Sequence, residues 1–251
     1  MSQKEMFDLS GKVAIITGGG AGIGNEIAKA YLEKGVKVAL LDRAENIAEI
    51  AKELNAENVI GLQLDVTKKD QIDQTIKAVV DHYGRIDILV NCAGVAILDA
   101  AEDVSEEGWD ATIAINLKGT FFVSQAVGKV MLKQKQGSII NFASQAGVVA
   151  LPNHLSYCAS KAGVIGLTKV LALEWGPSNI NVNSISPTVV LTAMGKTVWA
   201  GAVGDEFKAK IPSRRFAEPD QIAAAAVYLA SSEASIINGA NLVIDGGFTI
   251  Q

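Results

Sequence analysis

Histidine and cysteine are scarce in this chain. Among 251 residues it carries two of each, His82 and His154, Cys92 and Cys158. So few histidines exclude a histidine-rich metal site. Two cysteines without a recurrent spacing suggest no disulfide framework, which leaves free, buried thiols and a cytoplasmic, reducing compartment as the expectation. A basic block is also missing. The formal net charge is −5, which argues against nucleic acid and anionic membrane as main partners. The longest apolar run, Ile222–Ala230, is far shorter than the roughly 18 residues a bilayer span requires. Lys4, Glu5 and Asp8 precede any apolar run, so no secretory signal is expected. Low-complexity linkers and internal repeats are absent too. With 49% apolar residues, a chain of this length fits one large domain, 1–251, with ample core.

What is present is alternation. Short apolar runs occur at Val13–Ile16, Val38–Leu41, Val59–Leu64, Ile88–Val90, Ile139–Phe142, Val182–Ile185 and Leu242–Ile244. They are unbroken, as expected of strands buried on both faces of a parallel sheet. Between them Ile23–Lys34, Ile47–Leu54, Gln71–Tyr83, Glu106–Leu132, His154–Trp175 and Asp220–Leu229 read as helices. The pattern predicts an α/β fold: a single-domain, Rossmann-type, doubly wound seven-stranded parallel sheet with helices on both faces. Residues 188–216 lack a strong pattern and are expected to form a substrate-binding loop or lid.

The first predicted strand runs into Thr17-Gly18-Gly19-Gly20-Ala21-Gly22-Ile23-Gly24, with five glycines in seven residues, and then into a helix. A bare backbone at that turn lets a pyrophosphate approach the amides at a helix N-terminus, where unpaired N–H groups and the dipole favour an anion. The second strand ends at Asp42, 18 residues after Gly24. An acid there can accept hydrogen bonds from both ribose hydroxyls of NAD and would repel the extra phosphate of NADP. Arg43, next in the chain, is the one residue positioned to offset that repulsion.

Tyr157 and Lys161 are four residues apart in a segment of helical spacing, so they share one face. A free tyrosine ionises near pH ~10. An ammonium about 4 Å away, at an effective dielectric of ~20, favours the phenolate by roughly 4 kcal/mol. The pair is therefore expected to act as a base poised near neutrality.

With these residues in place, the chain resembles the short-chain dehydrogenase/reductase family from about Leu9 to Phe248. The family's glycine motif matches Thr17–Gly24, which makes Gly18, Gly20, Gly22, Ile23 and Gly24 cofactor-binding. Its Asn-x-Ala-Gly turn is Asn91-Cys92-Ala93-Gly94, and Asp65-Val66 matches the pair that contacts adenine. Asn116, Ser144, Tyr157 and Lys161 match the catalytic set in order and spacing. The resemblance implies that Tyr157 is the base and that Lys161 lowers its pKa and holds the nicotinamide ribose. Ser144 would hold the substrate oxygen, while Asn116 bends its helix and anchors a proton relay. Pro187, Val190, Thr192 and Met194 would bind the carboxamide end of the cofactor.

A narrower likeness is to the L-xylulose reductase branch, carried by Pro152–Lys161 and Ser186–Trp199. Pro187-Thr188 stands there in place of the family's usual Pro-Gly. Asp42 departs from that branch's basic residue. The combined expectation is an NAD-linked oxidoreductase acting on a secondary alcohol of a small vicinal diol, polyol or sugar alcohol. Gln145, Asn153 and His154 would bond neighbouring hydroxyls, and Trp199 would close over the substrate. The alternatives are an NADP-linked carbonyl or dicarbonyl reductase and a non-catalytic dinucleotide sensor. The resemblance also implies a homotetramer, built on the two long helices and the last strand, with the tail Phe248–Gln251 reaching a neighbour's site.

Overall fold

A computed structural model describes residues 6–251. Seven strands form one sheet: β1 (Val13–Thr17), β2 (Lys37–Asp42), β3 (Val59–Gln63), β4 (Ile88–Asn91), β5 (Gly137–Phe142), β6 (Ile180–Pro187) and β7 (Asn241–Ile244). All pairings are parallel and the order is β3-β2-β1-β4-β5-β6-β7. Among the described residues nine α-helices form: α1 (Gly22–Glu33), α2 (Ile47–Asn55), α3 (Lys69–Tyr83), α4 (Glu106–Ile113), α5 (Thr120–Gln134), α6 (Leu155–Trp175), α7 (Ala193–Val198), α8 (Ala202–Lys210) and α9 (Pro219–Ala230). The expected doubly wound sheet is what the chain forms.

The unbroken apolar runs are explained by two core layers. Ile16, Leu40, Val90, Ile140 and Ile185 point to one face, beneath α1, α2 and α9. Ile15, Leu41, Leu89, Ile139 and Val182 point to the other, beneath α3, α5 and α6. Alternate residues of a strand face opposite sides, so a strand covered on both sides is apolar throughout. Tyr31 of α1 is fully buried and its hydroxyl donates to Ala226 O of α9 at 3.2 Å. The strand order reverses between β1 and β4, and the crevice at such a switch point is where open α/β sheets bind ligands.

Two segments differ from the sequence pattern. The expected helix Glu106–Leu132 is interrupted by a π-helical turn, Ala114–Gly119, between α4 and α5. Asn116 sits in that turn and is pulled towards a neighbouring loop, as described below. Residues 188–216 contain α7 and α8. The base of this excursion is closed by Ala217 N donating to Val189 O (3.0 Å) and Leu191 N donating to Ala217 O (2.9 Å). Its interior holds Trp199, Phe207, Phe216 and Phe248, with ring centroids 5.0–6.1 Å apart. The tail therefore packs on this chain's own lid, where Gln251 Nε2 also donates to Lys210 O at 2.5 Å. Among the described residues no helix is long and apolar enough to cross a membrane.

Candidate active site

The loop after β1 is shaped by what a side chain would strike. Gly18 has φ +66°, and a Cβ there would stand 2.9 Å from Ala93 Cα. A Cβ on Gly24 would overlap the Gly18 carbonyl oxygen. Thr17 Oγ1 accepts from the amides of Cys92 and Ala93, both at 3.2 Å, and so joins the glycine loop to the turn after β4. Helix α1 begins with no side-chain cap and no acidic residue in its first turn. Its leading amides are thus left to an anion. These features fit a pyrophosphate.

Beside this loop lies a cavity of about 380 Å³. Gly18, Asp42, Arg43, Asp65, Val66, Ala93 and Gly94 line it, with Thr67, Val95, Ala111 and Ile115. The Asp42 carboxylate accepts from Gly20 N (3.0 Å) through Oδ2 and from Ala44 N (3.1 Å) through Oδ1. Both oxygens are held by main-chain amides, with lone pairs remaining for a ligand. Asp65 accepts from Thr67 N and Oγ1 at 2.9 and 2.7 Å. Those bonds and the nearby cations Lys68 and Arg43 outweigh its burial and keep its carboxyl below the ordinary range.

The chemical groups stand at the C-terminal ends of β5 and β6. Ser144 precedes a short turn, Gln145–Gly147, and its hydroxyl accepts from Ala146 N at 3.2 Å. The same hydroxyl faces the Tyr157 phenol and favours its ionised form. Lys161 is buried, its Nζ donates to Phe142 O at 2.7 Å, and it lies 5.6 Å from the centre of the Tyr157 ring. Burial lowers Lys161 to about 8. Burial raises the Tyr157 phenol, partly countered by the Ser144 hydroxyl. This differs from the expectation of a phenol lowered by the ammonium. The ammonium is engaged by the Phe142 carbonyl, and desolvation of the phenol dominates. Burial also pushes the Cys92 thiol up to about 12, so no thiolate competes.

Asn116 is fully buried. Its Oδ1 accepts from Val95 N (2.8 Å), while Nδ2 donates to Val95 O (2.9 Å) and Ser160 Oγ (3.1 Å). The Ser160 hydroxyl in turn donates to Tyr157 O at 2.8 Å. The π-helical turn thus grips both the loop after β4 and the turn of α6 that carries Tyr157. A Cβ on Gly94 would be 3.2 Å from Asn116 Oδ1 and 3.6 Å from Lys161 Nζ, which places all three together. Beneath them Asn91 Nδ2 donates to Ser124 Oγ and Asn141 Oδ1, both at 2.8 Å.

The remaining expected residues surround this centre. The Thr192 methyl is 3.5 Å from where a Gly22 Cβ would be, so the lid begins against the glycine loop. Pro187 ends β6, and Val190 is buried at the lid base. Ile23 packs on the core beside the glycine loop. Met194 lies in α7, and its side chain is outside the described part of the structure. His154 Nδ1 is 2.5 Å from Pro152 O. A carbonyl only accepts, so that nitrogen carries a proton. The His154 and Tyr157 rings are 6.1 Å apart, edge to face. Asn153 is exposed with φ +63°, a left-handed conformation asparagine tolerates. Trp199 packs on Phe207 and Phe216. The sequence pattern assigned no side-chain role to Thr17, Ser160 or Thr188. Thr17 opens the glycine motif and Thr188 replaces a usual glycine, so both carried a signal. Ser160 carried none.

A family model described as enoyl-(acyl carrier protein) reductase matches residues 18–249. A D-threitol dehydrogenase of Mycolicibacterium smegmatis is 53% identical over 98% of this chain and 95% of its own length. An NAD-dependent glycerol dehydrogenase of Listeria innocua is 49% identical over 98% of this chain and 96% of its own. A crystal structure of a gluconate 5-dehydrogenase from Burkholderia cenocepacia, in complex with NADP and tartrate, is similar at a TM-score of 0.94 and 32% identity, covering 98% of each chain.

Proposed function

The chain belongs to the short-chain dehydrogenase/reductase family, and on that premise we propose that it oxidises a secondary alcohol of a small vicinal diol, polyol or sugar alcohol to a ketone, with NAD. The observation that carries this reading is the cluster of Ser144, Tyr157 and Lys161 at the strand ends, beside a cavity that Asp42 helps to line. The D-threitol and glycerol dehydrogenases among its relatives support the substrate class and, for the second, the cofactor.

NAD, when bound, supplies the hydride acceptor; the protein supplies orientation and electrostatics. Asp42 would hold the adenosine ribose, Asp65 and Val66 the adenine, and the amides opening α1 the pyrophosphate. Asn91, Ala93 and Gly94 would form the wall beside them. Pro187, Val190, Thr192 and Met194 would hold the carboxamide end. Tyr157 takes the proton of the alcohol as the phenolate, once its own proton has passed towards solvent by way of Lys161. Ser144 steadies the alcohol oxygen by a hydrogen bond as charge develops there. Lys161, titrating near 8, holds a proton loosely enough at neutral pH to pass it between the phenol and solvent. Asn116 positions the Tyr157 turn through Ser160. Residues 188–216 serve as the substrate lid, with Trp199 in its apolar interior. Gln145, Asn153 and His154 meet further hydroxyls. The active species would be a cytoplasmic homotetramer, a state light scattering reads directly.

An NADP-linked reductase is the competing reading, because Arg43 lines the same cavity as Asp42. A screen of NAD reduction over three- to six-carbon diols, polyols and hydroxy acids tests the proposal. Small vicinal polyols should be the best substrates. Equal or better activity on 2-butanol than on 2,3-butanediol would refute the polyol assignment.

A further inference from the structure

Three buried side-chain atoms among the described residues have no hydrogen-bond partner: Asn91 Oδ1, Gln145 Oε1 and Thr188 Oγ1. Buried polar atoms are nearly always paired, and an orphan calls for an explanation such as a ligand that completes it. These three are not scattered. Asn91 ends β4, Gln145 opens the turn just past β5, and Thr188 follows the last residue of β6. All lie at the carboxyl ends of three adjacent strands. Asn91 already braces the sheet through its Nδ2 bonds to Ser124 and Asn141. Gln145 Oε1 and Thr188 Oγ1 are left, on residues that are only 3% and 7% exposed.

The sheet dictates where Thr188 points. Ile180 and Val182 of β6 lie in the core layer that includes Leu171 and Trp175 of α6, whereas Ile185 lies in the opposite layer. Strand pairing continues through Thr188, whose N–H donates to Ile244 O at 3.0 Å. By alternation its side chain falls on the α6 face. The height matches as well. Lys161 of α6 bonds Phe142 O, and Phe142 is in register with Ile185, close below Thr188. Gln145 follows Ser144, whose hydroxyl faces the Tyr157 phenol. The two orphans therefore belong to the strand ends that carry Ser144 and the carbonyl bound by Lys161.

We infer that Gln145 and Thr188 form a subsite for the hydroxyl on the carbon next to the one oxidised; the inference rests on the polyol reading above. A neutral hydroxyl both donates and accepts. It can donate to Gln145 Oε1, which only accepts, and accept from the Thr188 hydroxyl. A hydrogen or methyl group at that carbon leaves both protein groups unpaired. A carboxylate accepts from Thr188 but sets acceptor against acceptor at Gln145. The subsite thus selects vicinal diols over simple alcohols and over 2-hydroxy acids, in the way that sites built for a hydroxyl reject analogues lacking it.

The test compares kcat/KM on 2,3-butanediol and 2-butanol, at saturating NAD, for wild type, Thr188→Val, Thr188→Ser and Gln145→Met. Thr188→Val keeps the shape and removes the hydroxyl. The ratio of diol to simple alcohol should fall about tenfold in Thr188→Val and in Gln145→Met, the scale of one neutral hydrogen bond. Thr188→Ser should retain the ratio, and KM for NAD should stay unchanged throughout. Because the Thr188 hydroxyl has no protein partner, Thr188→Val should melt no lower than wild type in the absence of substrate. A lower melting temperature, or equal losses on both alcohols, would assign the hydroxyl a structural or cofactor role and overturn the inference. A diol preference that survives both substitutions removes the subsite alone. A wild type without diol preference removes the polyol reading and the subsite with it.

Discussion

From β1 to β4 the site offers mainly main-chain groups: the open amides of α1, the tight Gly18 turn, and a carboxylate held by two amides. From β5 to the lid it offers side chains: Ser144, Tyr157, Lys161, and the unpaired oxygens of Gln145 and Thr188. Backbone suits a ligand that does not change, and glycine spacing provides it. Side chains suit the reacting end, where protonation states and hydrogen-bond partners must vary. The two halves meet at Lys161 and Gly94, and Asn116 ties them together. If the division is real, changes in one half should leave the other's task intact.

The largest expected effect is that of Tyr157→Phe, which keeps the ring and removes the phenol. Turnover should fall by ~10²–10⁴, typical of a lost general acid–base group, while NAD titrations give nearly the wild-type affinity. Retention of more than a tenth of the turnover would show that another group is the base.

Lys161 sharpens the comparison through stability. Its folded-state value of about 8 lies below its ordinary 10.5. Between those two pH values the unfolded chain binds more protons than the folded one, so the Lys161 contribution makes stability rise with pH across that window. The stability difference, wild type minus Lys161→Met, should increase from pH 8 to pH 10 by up to about 3 kcal/mol. Cys92, pushed up to about 12, acts in the opposite sense in both proteins and largely cancels. Urea melts over that range would show a flat difference if Lys161 were not desolvated.

Asn116→Ala should destabilise the ligand-free protein by about 2 kcal/mol, because the Val95 amide and carbonyl and the Ser160 hydroxyl lose their partner inside the fold. A thermal or urea melt unchanged from wild type would mean that the two halves are not joined there. Tyr31→Phe, remote from both, loses one buried bond to Ala226 O. It should cost only about 1 kcal/mol and leave kinetics untouched.

How much was legible beforehand follows the same division. Gly18 to Gly24 and Asp42 lie close along the chain, and strand, loop and helix in order specify their geometry. Tyr157 and Lys161 were readable as one helix face for the same reason. The break at Ala114–Gly119 was not visible in the periodicity, because Asn116 leaves its helix for bonds to Val95, a partner distant in sequence. Helix α7, of 6 residues, is too short for periodicity to declare, and α8, of 9, lacks the apolar stripe that marks the equally long α2; the rings of Trp199, Phe207, Phe216 and Phe248 hold them. The direction of the Tyr157 shift depended on burial, which spacing does not report. Thr188 stood out only as a replacement for glycine, since an unpaired hydroxyl is a property of the packed site.

Cofactor choice tests most directly whether an NAD-linked dehydrogenase keeps its selection in the first half and its chemistry in the second. The measurement is kcat/KM for NAD and for NADP on one vicinal polyol, in wild type and Asp42→Ala. Wild type should prefer NAD by roughly a hundredfold, since a carboxylate facing a phosphate of about −1.5 to −2 charges costs several kcal/mol. Asp42→Ala should weaken NAD and improve NADP together, with kcat at saturating cofactor close to wild type. A wild-type preference for NADP, or a ratio unmoved by the substitution, would contradict the assignment.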